Sequence, residues 1–192
     1  MKTKSVILFL VLITLVSFGF KLLVTDFSIP VNSDNLDYTL FAIAHTNGDY
    51  SQSSHRGMGW SVFTSIFFGF IDSENLLDYS IMIKSLSITI GIFTIPVIYL
   101  VARKFFDERY SLFAASLFAF EPHLNYNSTL GLTEPMFILA VVGSFYFILN
   151  QNTRLFFISS ILAGVAYWVR INGVWVIIAL SIIYFLTQKK SW

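Results

Sequence analysis

The stretch Val31–Trp60, VNSDNLDYTLFAIAHTNGDYSQSSHRGMGW, is the longest polar run in the chain and carries Asp34, Asp37, Asp49, His45 and His55. The apolar segment Val6–Val24 precedes it and further apolar segments follow. A polar loop this long between apolar spans is either functional or disordered. This one interleaves acids with aromatic residues and contains a helical repeat, which argues for order. Leu36, Leu40, Phe41, Ile43 and Ala44 recur at the spacing of one helix face. Asn35–His45 therefore reads as a short helix lying along a membrane interface, with Ser33 or Asp34 as its cap and Gly48 as its stop. Met58–Ile71 is apolar but short. At about 1.5 Å per residue it does not cross a hydrocarbon layer of about 30 Å, and it reads as a second interfacial or half-inserted helix.

Composition supports a bilayer around this loop. Of the residues, 56% are hydrophobic and 12% charged, against roughly 45–50% and about 25% in soluble domains. The 21 phenylalanines suit a lipid-facing surface better than an aqueous one. With no cysteine, a disulfide framework and thiolate metal sites are excluded. A net charge of +1 gives no reason to expect a nucleic-acid partner. Lys2 and Lys4 make a basic start, but the apolar run continues to Val24 with no small-residue cleavage site. We read it as a retained first span with a cytoplasmic amino terminus.

After the loop, span two runs from Tyr79 to Val101, with Pro96 as a kink. Arg103–Arg109 is a compact charged loop, and Tyr110–Phe120 is a short third span that reaches full length only if Glu121–Leu124 continue it. Glu121–Thr133 is the second polar interruption. Spans four to six are Glu134–Leu149, Leu155–Val169 and Val174–Leu186. The expected fold is all-α: a polytopic helical membrane protein of about six transmembrane helices, with two interfacial helices in the first outer loop and residues 1–192 forming a single transmembrane domain. An even number of crossings puts Lys2, Lys4, Arg103, Lys104, Arg109, Arg154, Lys189 and Lys190 on one side and Lys21, Arg56, Lys84 and Arg170 on the other. By the positive-inside rule both termini are cytoplasmic, and Lys21 snorkels to the outer headgroups.

The outer face then collects the residues that can carry chemistry. Asp34 is either a helix cap or an acid–base group, and Asp37 shares its face one turn later. Asp49 follows Gly48 and suits a turn. Glu134, followed by Pro135, has the form of a helix start, as does Glu121–Pro122, yet ionisable groups at membrane depth are functional candidates. Arg170 falls where the last hairpin turns; it either snorkels or presents its planar fork of donors to a phosphate. His55 and Arg56 precede Gly57-Met58-Gly59, a stretch that can bring backbone close to a ligand. The three scattered histidines form no metal motif.

In this order the features resemble the amino-terminal part of the membrane-embedded C-superfamily glycosyltransferases, which include the dolichyl-phosphate-mannose protein mannosyltransferases. Asp34, Tyr38 and Ala42 match that family's first outer helix, with Asn35 where Glu often follows the Asp. Gly48 and His55–Trp60 take the place of its Gly and His/Pro step, without the usual prolines. Pro122, Ser128 and Thr133-Glu134 match the turn before span four. Gly164, Ala166 and Arg170 match a Gly-x-Ala-x-x-x-Arg step, with Asn172 where Pro is frequent.

The resemblance implies transfer of a sugar from a polyprenyl-phosphate carrier to a protein, glycan or lipid acceptor on the outer or lumenal face of a membrane, for a prokaryote the plasma membrane. It implies Asp34 and Glu134 as catalytic residues, and Arg170, Arg56, His55, Asp37 and Tyr38 as substrate- or phosphate-binding ones. Metal use varies within the family, so a divalent ion is left open. The family continues beyond this length, which makes the chain the amino-terminal part of a longer module or one that a second chain completes. The alternatives are a non-catalytic membrane module that binds polyprenyl phosphate or a partner chain, and a small transporter.

Overall fold

The computed structural model describes residues 3–51, 57–150 and 152–188, and these are helical with no strand among them. α1 (Thr3–Val24) is followed by two short helices, α2 (Asp34–Thr46) and α3 (Gly59–Phe68). The long α4 (Leu76–Ala102) passes through Pro96 without interruption. Then come α5 (Glu108–Ala119), α6 (Pro122–Thr129), α7 (Glu134–Ile148) and α8 (Thr153–Val169). A 3-10 turn (Ile171–Gly173) leads into α9 (Val174–Gln188).

Two of these helices, α1 and α4, are long and apolar enough to cross a membrane. At 15–17 residues, α7, α8 and α9 are shorter; at about 1.5 Å per residue they reach about 22–26 Å. The third span reads differently from expectation. The chain breaks after Ala119, and Glu121–Leu124 do not extend α5. Glu121 instead caps a separate helix, accepting the Leu124 N–H at 2.5 Å, with Pro122 opening the first turn. α6 lacks an apolar face, which is why the hydropathy pattern passes over it. Its Asn125, Asn127, Ser128 and Thr129 are nonetheless buried.

The outward surface is that of a lipid-soaked protein. Along α1, Ile7, Leu8, Leu12, Leu15 and Leu23 are all more than half exposed. A contiguous patch of this kind is rare on soluble monomers. Hydroxyl side chains are accommodated by bonding back along their own helices, as Thr39 does to Asn35 O (2.8 Å) and Thr94 to Ile90 O (2.9 Å); in lipid every polar group needs an internal partner.

α7 and α8 form the closest hairpin. A Cβ on Gly143 would lie 3.1 Å from Leu162 Cδ1, and the Ser159 hydroxyl donates to Ser144 O at 2.7 Å. Small residues let membrane helices approach this closely. α4 packs against α7 and α5, and α1 against α5 and α4.

α2 and α3 pack on each other around Tyr38, Ala42, Trp60 and Phe68, with Ile83 of α4 beneath them. The Gly57-Met58-Gly59 step does bring backbone close, but to another part of the chain. A Cβ on Gly57 would lie 2.5 Å from Val169 O, and one on Gly59 2.8 Å from Val169 N. The glycines seat the loop on the last turn of α8, immediately before Arg170. His55 and Arg56 lie outside the described residues.

Two glycines therefore have opposite expected responses to alanine. Gly59→Ala forces a methyl into the backbone of α8 and should destabilise the protein by about 1–3 kcal/mol. Gly164→Ala, a helical position with nothing within 4 Å, should be neutral or stabilising by roughly 0.5–1 kcal/mol. Thermal melts of the two variants in one detergent check this; equal losses would mean that the α3–α8 approach is not close.

Candidate functional site

The site is built on the short connection between α6 and α7. A helix end leaves carbonyls without partners, and those buried away from water need donors. Here three successive carbonyls are each met by a side chain from a different helix. Asn35 Nδ2 of α2 donates to Leu130 O at 2.7 Å. Trp60 Nε1 of α3 donates to Gly131 O at 3.1 Å. Ser87 Oγ of α4 donates to Leu132 O at 3.1 Å. Gly131 has φ of +80°, and a Cβ there would lie 3.1 Å from Ile83 Cγ2, so glycine suits both the backbone and the space.

This clamp fixes Thr133, which is buried, and Glu134, the first residue of α7. Glu134 and Glu121, which look alike in sequence, do different work. Glu121 caps its helix, whereas Glu134 turns to Arg170, its Oε1 lying 2.5 Å from the guanidinium. The Arg170 backbone is extended, between the end of α8 and the 3-10 turn, where the chain doubles back. Gly173 permits that return: a Cβ there would stand 2.3 Å from Tyr167 N. The guanidinium lies 6.0 Å from the centre of the Phe137 ring and 3.5 Å from Thr133 Oγ1. The Arg170 side chain remains 33% exposed and that of Glu134 24%. The other carboxylate oxygen, Glu134 Oε2, is buried with no hydrogen-bond partner. Tyr167, Trp168 and Trp175, on either side of Arg170 in sequence, are exposed, as aromatic side chains at the headgroup level of a bilayer are.

Asp34 is the first residue of α2 and half-buried; Ser33 occupies the N-cap position, at φ 52° and without a side-chain capping bond. The neighbouring Asn35 links the start of α2 to Leu130, so Asp34 sits beside the clamp that positions Glu134. Asp37 is exposed one turn along, and Tyr38 is packed in the core with Trp60. Asp49 is a turn residue. It accepts the Ser51 N–H at 2.9 Å, and bonding to Ser51 holds its carboxyl below the usual range.

Among the described residues, no three His, Asp or Glu side chains come together in a way that could hold a metal ion, and one oxygen of Glu134 is already taken by Arg170.

Lys21 departs most from its sequence reading. It does not snorkel. It is 4% exposed, and its ammonium donates to Ser128 Oγ at 2.7 Å. Lys84 also turns inward, donating to Asp26 O at 2.7 Å and Ile29 O at 2.6 Å. The signal for the first was present in the sequence: Ser17, Lys21 and Thr25 repeat every four residues, which makes one polar stripe along α1 and the residue just past its end, and all three are buried.

A family model described as dolichyl-phosphate-mannose-protein mannosyltransferase matches residues 77–192, more than half of the chain. The matched part runs from α4 to the end of the chain and contains the clamped turn, Glu134 and Arg170. No curated protein and no solved structure matches. With its lipid-facing helices and this match, the chain belongs to the dolichyl-phosphate-mannose-protein mannosyltransferase family of membrane glycosyltransferases.

Proposed function

We propose that the chain transfers a sugar from a polyprenyl-phosphate carrier to an acceptor at the outer face of the membrane, alone or as the amino-terminal part of a larger module. The observation that carries this reading is the Arg170–Glu134 pair, at the level of exposed Tyr167, Trp168 and Trp175. A carrier lipid enters from the bilayer, so its phosphate arrives at headgroup depth. A partly exposed guanidinium there offers the planar donor fork that a phosphate takes.

The reaction assigns each group a role. Asp34 accepts the proton of the acceptor hydroxyl as its oxygen bonds to the anomeric carbon. The bond from that carbon to the phosphate oxygen breaks, and the electron pair leaves with the phosphate. Arg170 stabilises the charge that develops there, while Glu134 holds Arg170 in place. Asp37, exposed on the same helix, is a secondary binding residue. Arg56 and His55 are further candidates for the phosphate. Six crossings, with the short helices spanning a thin or protein-lined part of the layer, place these groups on one side and both termini on the other.

Topology is the first check. On this cysteine-free background, Ser51→Cys should react with a membrane-impermeant maleimide from outside, and Phe105→Cys only after permeabilisation. The reverse pattern would put Asp34 and Arg170 on the side without a carrier-linked donor.

For catalysis, Asp34→Asn is the sharper test. Asn keeps the shape of Asp at the first position of α2 and loses only its charge near the helix N-terminus, so folding should change by about 1 kcal/mol or less. Asn takes no proton at neutral pH, so transfer from a polyprenyl-phosphate donor, assayed in membranes containing the protein, should fall by roughly 10²–10⁴-fold. Asp37→Asn should cost far less. Full activity in a correctly inserted Asp34→Asn protein would remove Asp34 from the mechanism.

A further inference from the structure

Lys21 has no role in the function proposed above, yet it is a buried charge in an expensive position. It lies on α1, outside the part of the chain that matches the family. Among the described residues the ammonium's one hydrogen-bond partner is Ser128 Oγ, at 2.7 Å. Ser128 gives its own proton to Asn125 O at 2.8 Å, so it can only accept from the ammonium. An ammonium carries three donors, and one hydroxyl does not compensate the charge.

A small cavity beside it has an acid in its wall. Lys21, Gly91, Ile95, Phe118, Ser128 and Glu134 are among its walls, and Glu134 is the one acid there. At about 10 Å³ the cavity is at the lower limit for a single water. Gly91 makes the space: a Cβ on it would lie 3.9 Å from Lys21 Nζ and 3.9 Å from Pro135 Cβ, so the ammonium and the start of α7 converge over the same bare backbone. On the other side of the pair, Glu134 Oε2 is buried and has no hydrogen-bond partner. A buried ammonium short of an anion and an acid with one oxygen short of a donor thus line the same mostly apolar cavity, where attraction between charges is less screened than in water.

We propose that Lys21 is a positioning residue: it is the second counter-charge of Glu134, and it keeps that carboxylate compensated when Arg170 turns to a carrier phosphate. Without Lys21, an Arg170 bound to phosphate would leave Glu134 as a half-buried, unpaired anion, so phosphate binding would have to break the ion pair without compensation. With Lys21, Glu134 can pass from two cations to one. The second half of this proposal rests on Arg170 as the phosphate ligand; the first half does not.

A double-substitution cycle separates the two. Apparent melting temperatures are measured for the unchanged protein, Lys21→Met, Glu134→Gln and the double variant in one detergent. Lys21→Met should lower the melting temperature by roughly 5–10 °C in the unchanged background, and should be neutral or stabilising in Glu134→Gln. A residue that only fills space gives the same loss in both backgrounds, and that result overturns the proposal. Should Lys21→Met fail to fold, Lys21→Gln, which keeps a polar donor but no charge, is measured on the same two backgrounds with the same expectation. The second arm is binding of decyl phosphate. Lys21→Met should weaken it by about tenfold or more, and adding Glu134→Gln should restore it. Unchanged binding in Lys21→Met would overturn the release of Arg170. If the unchanged protein binds no decyl phosphate, Arg170 is not the phosphate ligand and the release role falls with it, while the melting cycle still decides the Lys21–Glu134 pairing.

Discussion

Three backbone carbonyls in a row, those of Leu130, Gly131 and Leu132, are the constraint on which the site depends. They follow a short helix at buried or half-buried positions, where an unpaired carbonyl is costly. Asn35, Trp60 and Ser87 pay that cost from three separate helices. Each bond is ordinary by itself, worth about 1 kcal/mol net. Their combined effect is geometric: α2, α3 and α4 all register against the same three residues. Thr133 and Glu134 come next in the chain, so the position of the acid at the start of α7 is set by elements far from it in sequence.

Arg170 is fixed from the opposite direction. Gly57 and Gly59 bring the segment entering α3 against the backbone of Val169, and Gly173 lets the chain reverse directly after Arg170. The same α2–α3 unit therefore touches the turn before Glu134 and the turn that carries Arg170. A site held in this way is preorganised, which is what stabilising charge on a leaving phosphate demands. The ion pair alone would say little, since many ion pairs are structural. What favours a functional role is its partial exposure, the exposed Tyr167, Trp168 and Trp175 near it in sequence, and the unpaired second oxygen of Glu134.

Much of this architecture was legible in the residues. The apolar runs gave α1, α4 and α7–α9 to within a few positions, because hydrophobic burial and lipid exposure leave the same long signal. The helix at Asp34–Thr46 was legible from Leu36, Leu40 and Ile43. α6 was not, since Asn125, Asn127, Ser128 and Thr129 are buried through hydrogen bonds and leave no hydropathy trace. The direction of Lys21 was missed because a lysine near a helix end looks the same whether it snorkels or points inward; only the Ser17-Lys21-Thr25 repeat argued for the second. Glu134 and Arg170 were visible as separate candidates, but their pairing links residues 36 positions apart and needs the fold. The reading of Gly57–Gly59 found the close approach and mistook what it approaches: backbone of the chain itself satisfies the same steric signal as a ligand.

Arg170 is the residue proposed to receive a lipid-borne phosphate. Native mass spectrometry of the protein released from detergent with undecaprenyl phosphate tests it directly. A one-to-one adduct is expected, lost in Arg170→Ala and nearly as much reduced in Arg170→Lys, because an ammonium lacks the planar fork. An adduct of equal intensity in all three proteins would contradict it, leaving Arg170 as the structural partner of Glu134 and nothing more.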